Sequence, residues 1–144
     1  MLNYEEVNRK LWNQKTPVHL TSAFYNMAGF KKGESSLNLV EKDFLGNVKE
    51  KELLHLQCHF GQDTLSLARL GAKVTGVDLS DEGISAARKL SEELEIAAEF
   101  YIGNVLDLDK VLPTDLRYDI IFCSYGTIGW LPELESWAKH IGHF

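Results

Sequence analysis

The sequence is short of several things at once. Its 144 residues include two cysteines, three prolines and two methionines. Cys58 and Cys123 each stand in an apolar, strand-like segment, where a buried free thiol is expected rather than a disulfide. No apolar run approaches the length of a membrane span, and the opening MLNYEEVNRK has no apolar signal core. A cytoplasmic chain with no membrane partner is the expectation. Positive charge is scarce too. Fifteen Lys and Arg stand against 21 Asp and Glu, for a formal net charge of −6. That balance argues against a general binder of nucleic acid or of anionic membranes. There is no repeat and no low-complexity tract. A hydrophobic fraction of 44% and a charged fraction of 25% are ordinary globular values, and the length fits one domain with a core of its own.

Residues 3 to 15 read as an amphipathic helix. Asn3 caps it, Glu6 completes a capping box, and Tyr4, Val7 and Leu11 share a face with Trp12 beside them. Thr16-Pro17 is expected to end it. Ser22 to Met27 suits a short helix. Ser36 is expected to cap another helix, from Leu37 to Leu45, which Gly46 terminates. Residues 1–51 are therefore read as a helical cap segment, and 52–144 as an α/β domain. The aromatic residues of the first segment either cover a sheet face or, through His19, Phe24 and Tyr25, close over a ligand.

The α/β pattern begins at LLHLQC, a short strand apolar on both faces, as a central parallel strand requires. A helix over 63–70 follows, with Leu65, Leu67, Ala68 and Leu70 as its apolar surface and Gly71 as its left-handed stop. Residues 73–78 form a second strand. Ser80 caps a helix whose buried stripe is Ile84, Ala87, Leu90 and Leu94. Strands over 97–104 and 118–126 come next. A last helix starts near Pro132 and carries Leu134, Trp137 and Ile141. The doubly wound template gives four parallel strands in the order 3-2-1-4, a Rossmann-like sheet with its ligand outside the carboxyl ends of the strands.

Four separate segments reach those ends. Asp78 closes the second strand about twenty residues beyond the first loop, where a carboxylate can accept both hydroxyls of a ribose. Asn104 follows the third strand and offers an amide to an adenine edge, or simply makes a turn. Leu79 and Val105 can sandwich a purine or belong to the core. In the first loop glycine is the missing residue. A dinucleotide site wants G-x-G-x-x-G, and those positions hold Gln57, His59 and Gln62. The G-x-G-x-G alternative falls on Gln57, His59 and Gly61, with one glycine of three. His55, Cys58 and His59 form a tempting metal cluster, but alternation along a strand is expected to send His55 and Cys58 to opposite faces, and no metal site is expected. The closing His140 and His143 are read as an exposed chain end.

The segment LLHLQCHFGQDTLSLARLGAKVTGVDLSDEGISAARKL resembles the cofactor-binding half of the class I S-adenosylmethionine (SAM)-dependent methyltransferases, in the bacterial form whose loop reads LQCHFG. YDIIFCSYGTIGWLPELESWAKHI resembles the fourth strand and following helix of that family. The resemblance implies SAM contacts at Gln57, Gly61, Asp78, Leu79, Asn104, Val105 and Ser124, with Tyr25 in a segment that closes over the cofactor. His55 stands where the family has an acidic residue. The implied reaction is in-line methyl transfer to a small-molecule acceptor. His19 and Tyr125 are candidates on the acceptor side, and no residue stands out as a general base. A non-catalytic SAM-binding or self-associating fragment is the alternative, and an NAD-dependent oxidoreductase is disfavoured by the loop. The family continues with further strands, so the domain is expected to be incomplete at its C-terminus. Its fourth strand is then a bare edge through which copies can associate.

Overall fold

In the computed structural model, which describes residues 3–144, the expected sheet is present. Strands β1 (Glu52–Leu56), β2 (Lys73–Asp78), β3 (Glu99–Ile102) and β4 (Ile120–Cys123) are all parallel, in the order β3-β2-β1-β4. Leu54 pairs with Thr75 on one side and Ile121 on the other, and Asp78 pairs with Ile102. Strands β3 and β4 are shorter than the sequence suggests. Helix α4 (Gln62–Arg69) connects β1 to β2, and α5 (Asp81–Glu93) connects β2 to β3.

Alternation along β1 and β2 divides the core. Leu53 and Val74 pack with Leu67 and Phe122 on one face. Beside them Leu65 meets Ile84, Ala87, Leu90 and Phe100. On the other face Leu54, Leu56 and Val77 pack with Leu108 of α6 (Leu108–Val111) and Phe144, and with Trp137 and Ile141 of α7 (Glu135–His143). Leu70, expected in the core, is 48% exposed because α4 stops at Arg69. Gly71 takes the expected left-handed turn at φ +95°, and Ser80 Oγ caps α5 by accepting the Gly83 N–H. Helix α7 begins three residues after Pro132, and Leu134 is its half-exposed cap rather than part of its buried stripe.

The N-terminal segment departs most from expectation. Helix α1 runs from Tyr4 to Thr21 with Pro17 inside it. A proline in a helix loses one backbone bond and crowds the preceding turn. Here side-chain contacts anchor the helix on both sides of that position. Before it, Ser80 Oγ donates to Asn13 Oδ1 at 2.7 Å, and Asn13 Nδ2 donates to Asp81 Oδ1 at 2.8 Å. After it, His19 meets His59. The docked face is Tyr4, Asn8 and Trp12, spaced every four residues, while Val7 is 48% exposed. A 3₁₀ turn at Ala23–Tyr25 leads into α2 (Met27–Lys31). Helix α3 is Leu39–Leu45, and Asn38, not Ser36, precedes it, its N–H donating to Glu41 Oε2 at 2.7 Å. Ser36 is used elsewhere: its hydroxyl donates to Asp63 Oδ1 at 2.6 Å and lies 2.8 Å from Ser66 Oγ, tying the segment to α4. Of the expected 1–51 segment, the first two residues lie outside the described ones.

Strand β4 is the sheet edge, yet it is not bare along its whole length. The Tyr118 N–H leading into it donates to Phe144 O at 2.8 Å. His140, expected to be exposed, is packed down with its Nε2 donating to Leu106 O at 3.0 Å, and His143 Nε2 is 3.0 Å from Thr114 O. Cys58 and Cys123 are free thiols, buried and half-buried. Among the described residues no helix is long and apolar enough to cross a membrane.

Candidate functional site at the carboxyl ends of the strands

The loop between β1 and α4 holds the site. Gln57, His59 and Gly61 have φ of +54°, +54° and +73°. All three glycine positions of the G-x-G-x-G pattern keep the left-handed backbone, although two of them carry large side chains. Such a conformation costs a residue with a Cβ about 1–2 kcal/mol, so other contacts must hold it. Cys58 N–H donates to Val77 O at 3.1 Å and His59 N–H to Asp78 Oδ2 at 2.8 Å. Gln57 Nε2 donates to Thr127 O at 2.9 Å, and Gln62 Nε2 donates to Tyr25 O at 2.6 Å. At Gly61 a Cβ would come within 2.7 Å of the Phe100 ring, so here the glycine serves close packing as well.

The turn at Gln57 also changes a side-chain direction. Cys58 packs with Leu65 and Phe100 and lies against Gly76, the sheet partner of His55. Cys58 and His55 are therefore on the same side of the sheet. Strand alternation ends at Leu56 and does not carry through a left-handed residue.

Asp78 is buried, with its carboxylate accepting from His59 N–H and, through Oδ1, from Ser80 N–H at 2.8 Å. Burial pushes its carboxyl above the ordinary range, and the backbone N–H groups of Ser80, His59 and Leu79 oppose that rise. A carboxylate has about four acceptor positions, so these two bonds leave capacity facing the cavity. Leu79, Asn104 and Val105 line the same cavity, which encloses about 90 Å³. Helix α1 roofs it with Tyr4, Asn8 and Trp12. Asn104 Nδ2 is engaged by that roof, donating to Tyr4 Oη at 2.8 Å and to Glu5 Oε2 at 3.2 Å, while its Oδ1 accepts the Leu106 N–H at 3.0 Å.

A second cavity of about 540 Å³ adjoins the first and shares Trp12, Gln57, His59, Tyr125 and Thr127 with it. Tyr25 and Ser124 line it; Gly61 lines neither and packs against Phe100 instead. Between the two is an aromatic cluster around His59. Its ring centroid is 4.4 Å from Phe60, 5.2 Å from Trp12 and 6.0 Å from Tyr25. His59 Nε2 is 2.9 Å from His19 Nδ1, so one ring donates and the other accepts. Burial, with smaller contributions from His19 and Lys15, brings His59 down to about 3, and burial alone brings His55 to about 3. Both imidazoles are neutral near pH 7. His55 Nδ1 is 2.7 Å from Thr64 Oγ1. Three buried atoms on this lining have no partner in the protein: His55 Nε2, His59 Nδ1 and Gln57 Oε1. Buried polar atoms are normally satisfied, so these three are left for water or a ligand to pair.

The structure thus brings Gln57, Asp78, Leu79, Asn104 and Val105 to one cavity, and Tyr25, Gln57 and Ser124 to its neighbour. Sequence reasoning missed Tyr4, Asn8, Trp12, Thr127 and Trp130 as lining residues. The four-residue spacing of the first three was a usable signal. Thr127 and Trp130 carry no pattern of their own.

An open parallel sheet with a ligand cleft at its β1/β4 switch point defines the nucleotide-binding class of doubly wound α/β domains. The chain belongs to the methyltransferase-domain family, of the class I SAM-dependent kind: the family model matches residues 53–143. It is 28% identical over 108 residues to the ubiquinone biosynthesis O-methyltransferase of Pseudoalteromonas translucida, covering 72% of this chain and 45% of that protein. It is 43% identical over 61 residues to the bifunctional methyltransferase/kinase WbdD of Escherichia coli, covering 42% of this chain and 9% of that one. The chain therefore spans less than half the length of these curated relatives. Among solved structures, the magnesium protoporphyrin IX methyltransferase ChlM from Synechocystis PCC 6803, determined with bound SAM, superposes with a TM-score of 0.69 at 19% identity. The match covers 98% of this chain and 71% of that one, and at that identity it speaks for the fold.

Proposed function

We propose that this chain is the SAM-binding part of a methyltransferase that acts on a small-molecule acceptor. The observation that carries the reading is the left-handed loop at Gln57, His59 and Gly61, latched to Asp78 at the edge of a cavity. Asp78 is assigned to the ribose hydroxyls, Leu79 and Val105 to the faces of the adenine, and Asn104 to its edge. Gln57 and Ser124 are assigned to the amino-acid end, with Tyr25 closing over it and Gly61 shaping the loop rather than touching the ligand. The unpartnered Gln57 Oε1 and His59 Nδ1 fit that role, because both can pair with a polar ligand. Residues 1–51 act as the cap, with α1 as its roof. The roof must lift from Asn104 before an adenine can reach its amide, since Tyr4 and Glu5 hold that amide in the closed arrangement.

When bound, SAM supplies a methyl group on a sulfonium, open to in-line attack by a lone pair. The chain's own contribution is positioning and exclusion of water. The second cavity has the volume of a small-molecule pocket, for which about 300–1,000 Å³ is usual. Its part beside Tyr25, Gln57 and Ser124 takes the cofactor's amino-acid end, and the remainder opens toward the acceptor, with Tyr125 and His59 on its lining.

Calorimetric titration with S-adenosylhomocysteine tests this reading. Saturable binding is expected, weakened about tenfold or more in Asp78→Asn, since a hydrogen bond to a charged group contributes about 1.5–3 kcal/mol. Folded protein that binds neither S-adenosylhomocysteine nor SAM would exclude it.

A further inference from the structure

We infer that His19 is a positioning residue for the cofactor: its Nδ1 takes the Nε2–H of His59, which leaves the His59 Nδ1 lone pair to accept from the ammonium of the cofactor's amino-acid end. The inference rests on the SAM reading above. The two rings meet at 2.9 Å, joining α1 to the loop after β1. Aromatic contacts hold both in place: His19 lies 4.9 Å from Tyr25, and His59 lies 4.4 Å from Phe60 and 5.2 Å from Trp12, centroid to centroid. A neutral imidazole has one N–H and one lone pair, so the bond leaves two arrangements. Either His59 donates to His19 and offers the cofactor a lone pair, or His19 donates to His59 and the cofactor meets an N–H. Gln57, on the same lining, decides between them. Its Nε2 is committed to Thr127 O, so its unpartnered Oε1 can only accept. An ammonium has three donors and can serve Gln57 Oε1 and His59 Nδ1 together, whereas a carboxylate leaves Gln57 Oε1 unpaired. The lining also carries the carboxylates of Glu34, Glu41 and Asp63 with neither lysine nor arginine, which favours the cationic group of the amino-acid end. In this arrangement both rings carry hydrogen on Nε2, the tautomer that a free imidazole prefers.

A pH dependence follows from the geometry. Protonated His19 cannot accept. It donates its Nδ1–H to His59 Nε2, turns His59 to the Nδ1–H form, and sets a donor against the donors of the ammonium. The groups that face His19 are His59 from the loop, Tyr25 from the 3₁₀ turn, and Trp12 and Lys15 on its own helix. Burial, and after it Lys15, holds the His19 imidazole below the ordinary 6.5. Cofactor binding therefore selects neutral His19. Affinity is full above that range and falls as pH drops through it, and binding at the lower pH releases one proton to solvent.

Two measurements test this. In the free, nitrogen-labelled chain near neutral pH, long-range proton–nitrogen correlation should show both rings protonated at Nε2 and His59 Nδ1 bare. S-adenosylhomocysteine is then titrated by calorimetry into the wild type, His19→Ala and His19→Gln, at neutral pH and again about two units lower. His19→Ala should weaken binding about fivefold at neutral pH, the worth of one hydrogen bond. His19→Gln should recover most of that loss, because its carbonyl accepts from His59 Nε2–H and glutamine suits a helix. It cannot take up a proton, so on acidification the wild type should lose about threefold or more affinity beyond what the glutamine variant loses. A merely structural His19 would leave the two pH profiles parallel. His59 protonated at Nδ1 in the free chain, parallel profiles, or a glutamine variant no better than alanine would overturn the inference. Absence of S-adenosylhomocysteine binding in every chain would overturn the SAM reading along with it, whereas binding with parallel profiles sinks this inference alone.

Discussion

The His59 N–H donates to Asp78 Oδ2 across 2.8 Å, joining the loop after β1 to the end of β2. One carboxylate thereby holds a strained loop and faces the cavity. Asp78→Ala should then do two kinds of damage. Losing two hydrogen bonds to backbone N–H groups should cost about 2–4 kcal/mol of stability, seen in urea denaturation, together with any loss of nucleotide binding. Asp78→Asn, which keeps one acceptor oxygen, should recover part of the stability.

Gln57 is strained by its φ of +54° and compensated by its bond to Thr127. Gln57→Gly removes a left-handed cost of about 1–2 kcal/mol and a hydrogen bond of about 1 kcal/mol. The net change in stability should be within about 1 kcal/mol. A loss larger than about 2 kcal/mol in a denaturant melt would mean the strain is relieved in some other way.

At Gly61 the opposite holds. An alanine Cβ would lie 2.7 Å from the Phe100 ring and 3.0 Å from Ala87 Cβ, at a φ of +73°. Gly61→Ala should cost about 2–4 kcal/mol from overpacking and backbone strain together. A lowered urea midpoint is the readout.

The buried histidines make stability depend on pH. His55 and His59 fall from 6.5 to about 3 on folding. The unfolded chain therefore binds more protons between those values. The stability these neutral imidazoles contribute is fully present above pH 6.5 and is lost as pH falls toward 3. At pH 5.5 the loss is about 1 kcal/mol for each. Asp63 and Asp78, raised by burial, work in the opposite direction closer to their own range. Comparing pH 7.5 with 5.5 therefore isolates the histidines best. His55→Asn, whose amide can replace the bond to Thr64, should roughly halve the difference.

Asn13 joins α1 to α5 through Ser80 and Asp81. Asn13→Ala should destabilise by about 1–2 kcal/mol. It should also speed proteolysis within α1 while the sheet stays protected, because local opening follows local contacts.

Much of this arrangement is legible in the residues. The strand order follows from apolar segments separated by helices too long for hairpins, and Asp78 and Ser80 declare themselves by position alone. What is hidden has physical causes. Pro17 reads as a stop because its local cost is visible, while the anchoring of Asn13 and His19 comes from distant parts of the chain. Ser36 resembles a cap and is claimed by Asp63. The loop looks defective when its glycines are counted, but the latch on Asp78 lets Gln57 and His59 hold the same backbone. Asn104 reaches the cavity as its position predicts, and only the fold reveals that Tyr4 already occupies its amide.

The roof of the cavity also contains an optical probe. Trp12, on α1, stands edge-on to Trp130, their ring centroids 5.4 Å apart, and both line the cavity. A ligand that lifts α1 must separate these two indoles and change the polarity around both. Tryptophan emission therefore reports occupancy without any label, and stopped-flow fluorescence can time the lifting of the helix separately from the arrival of the ligand.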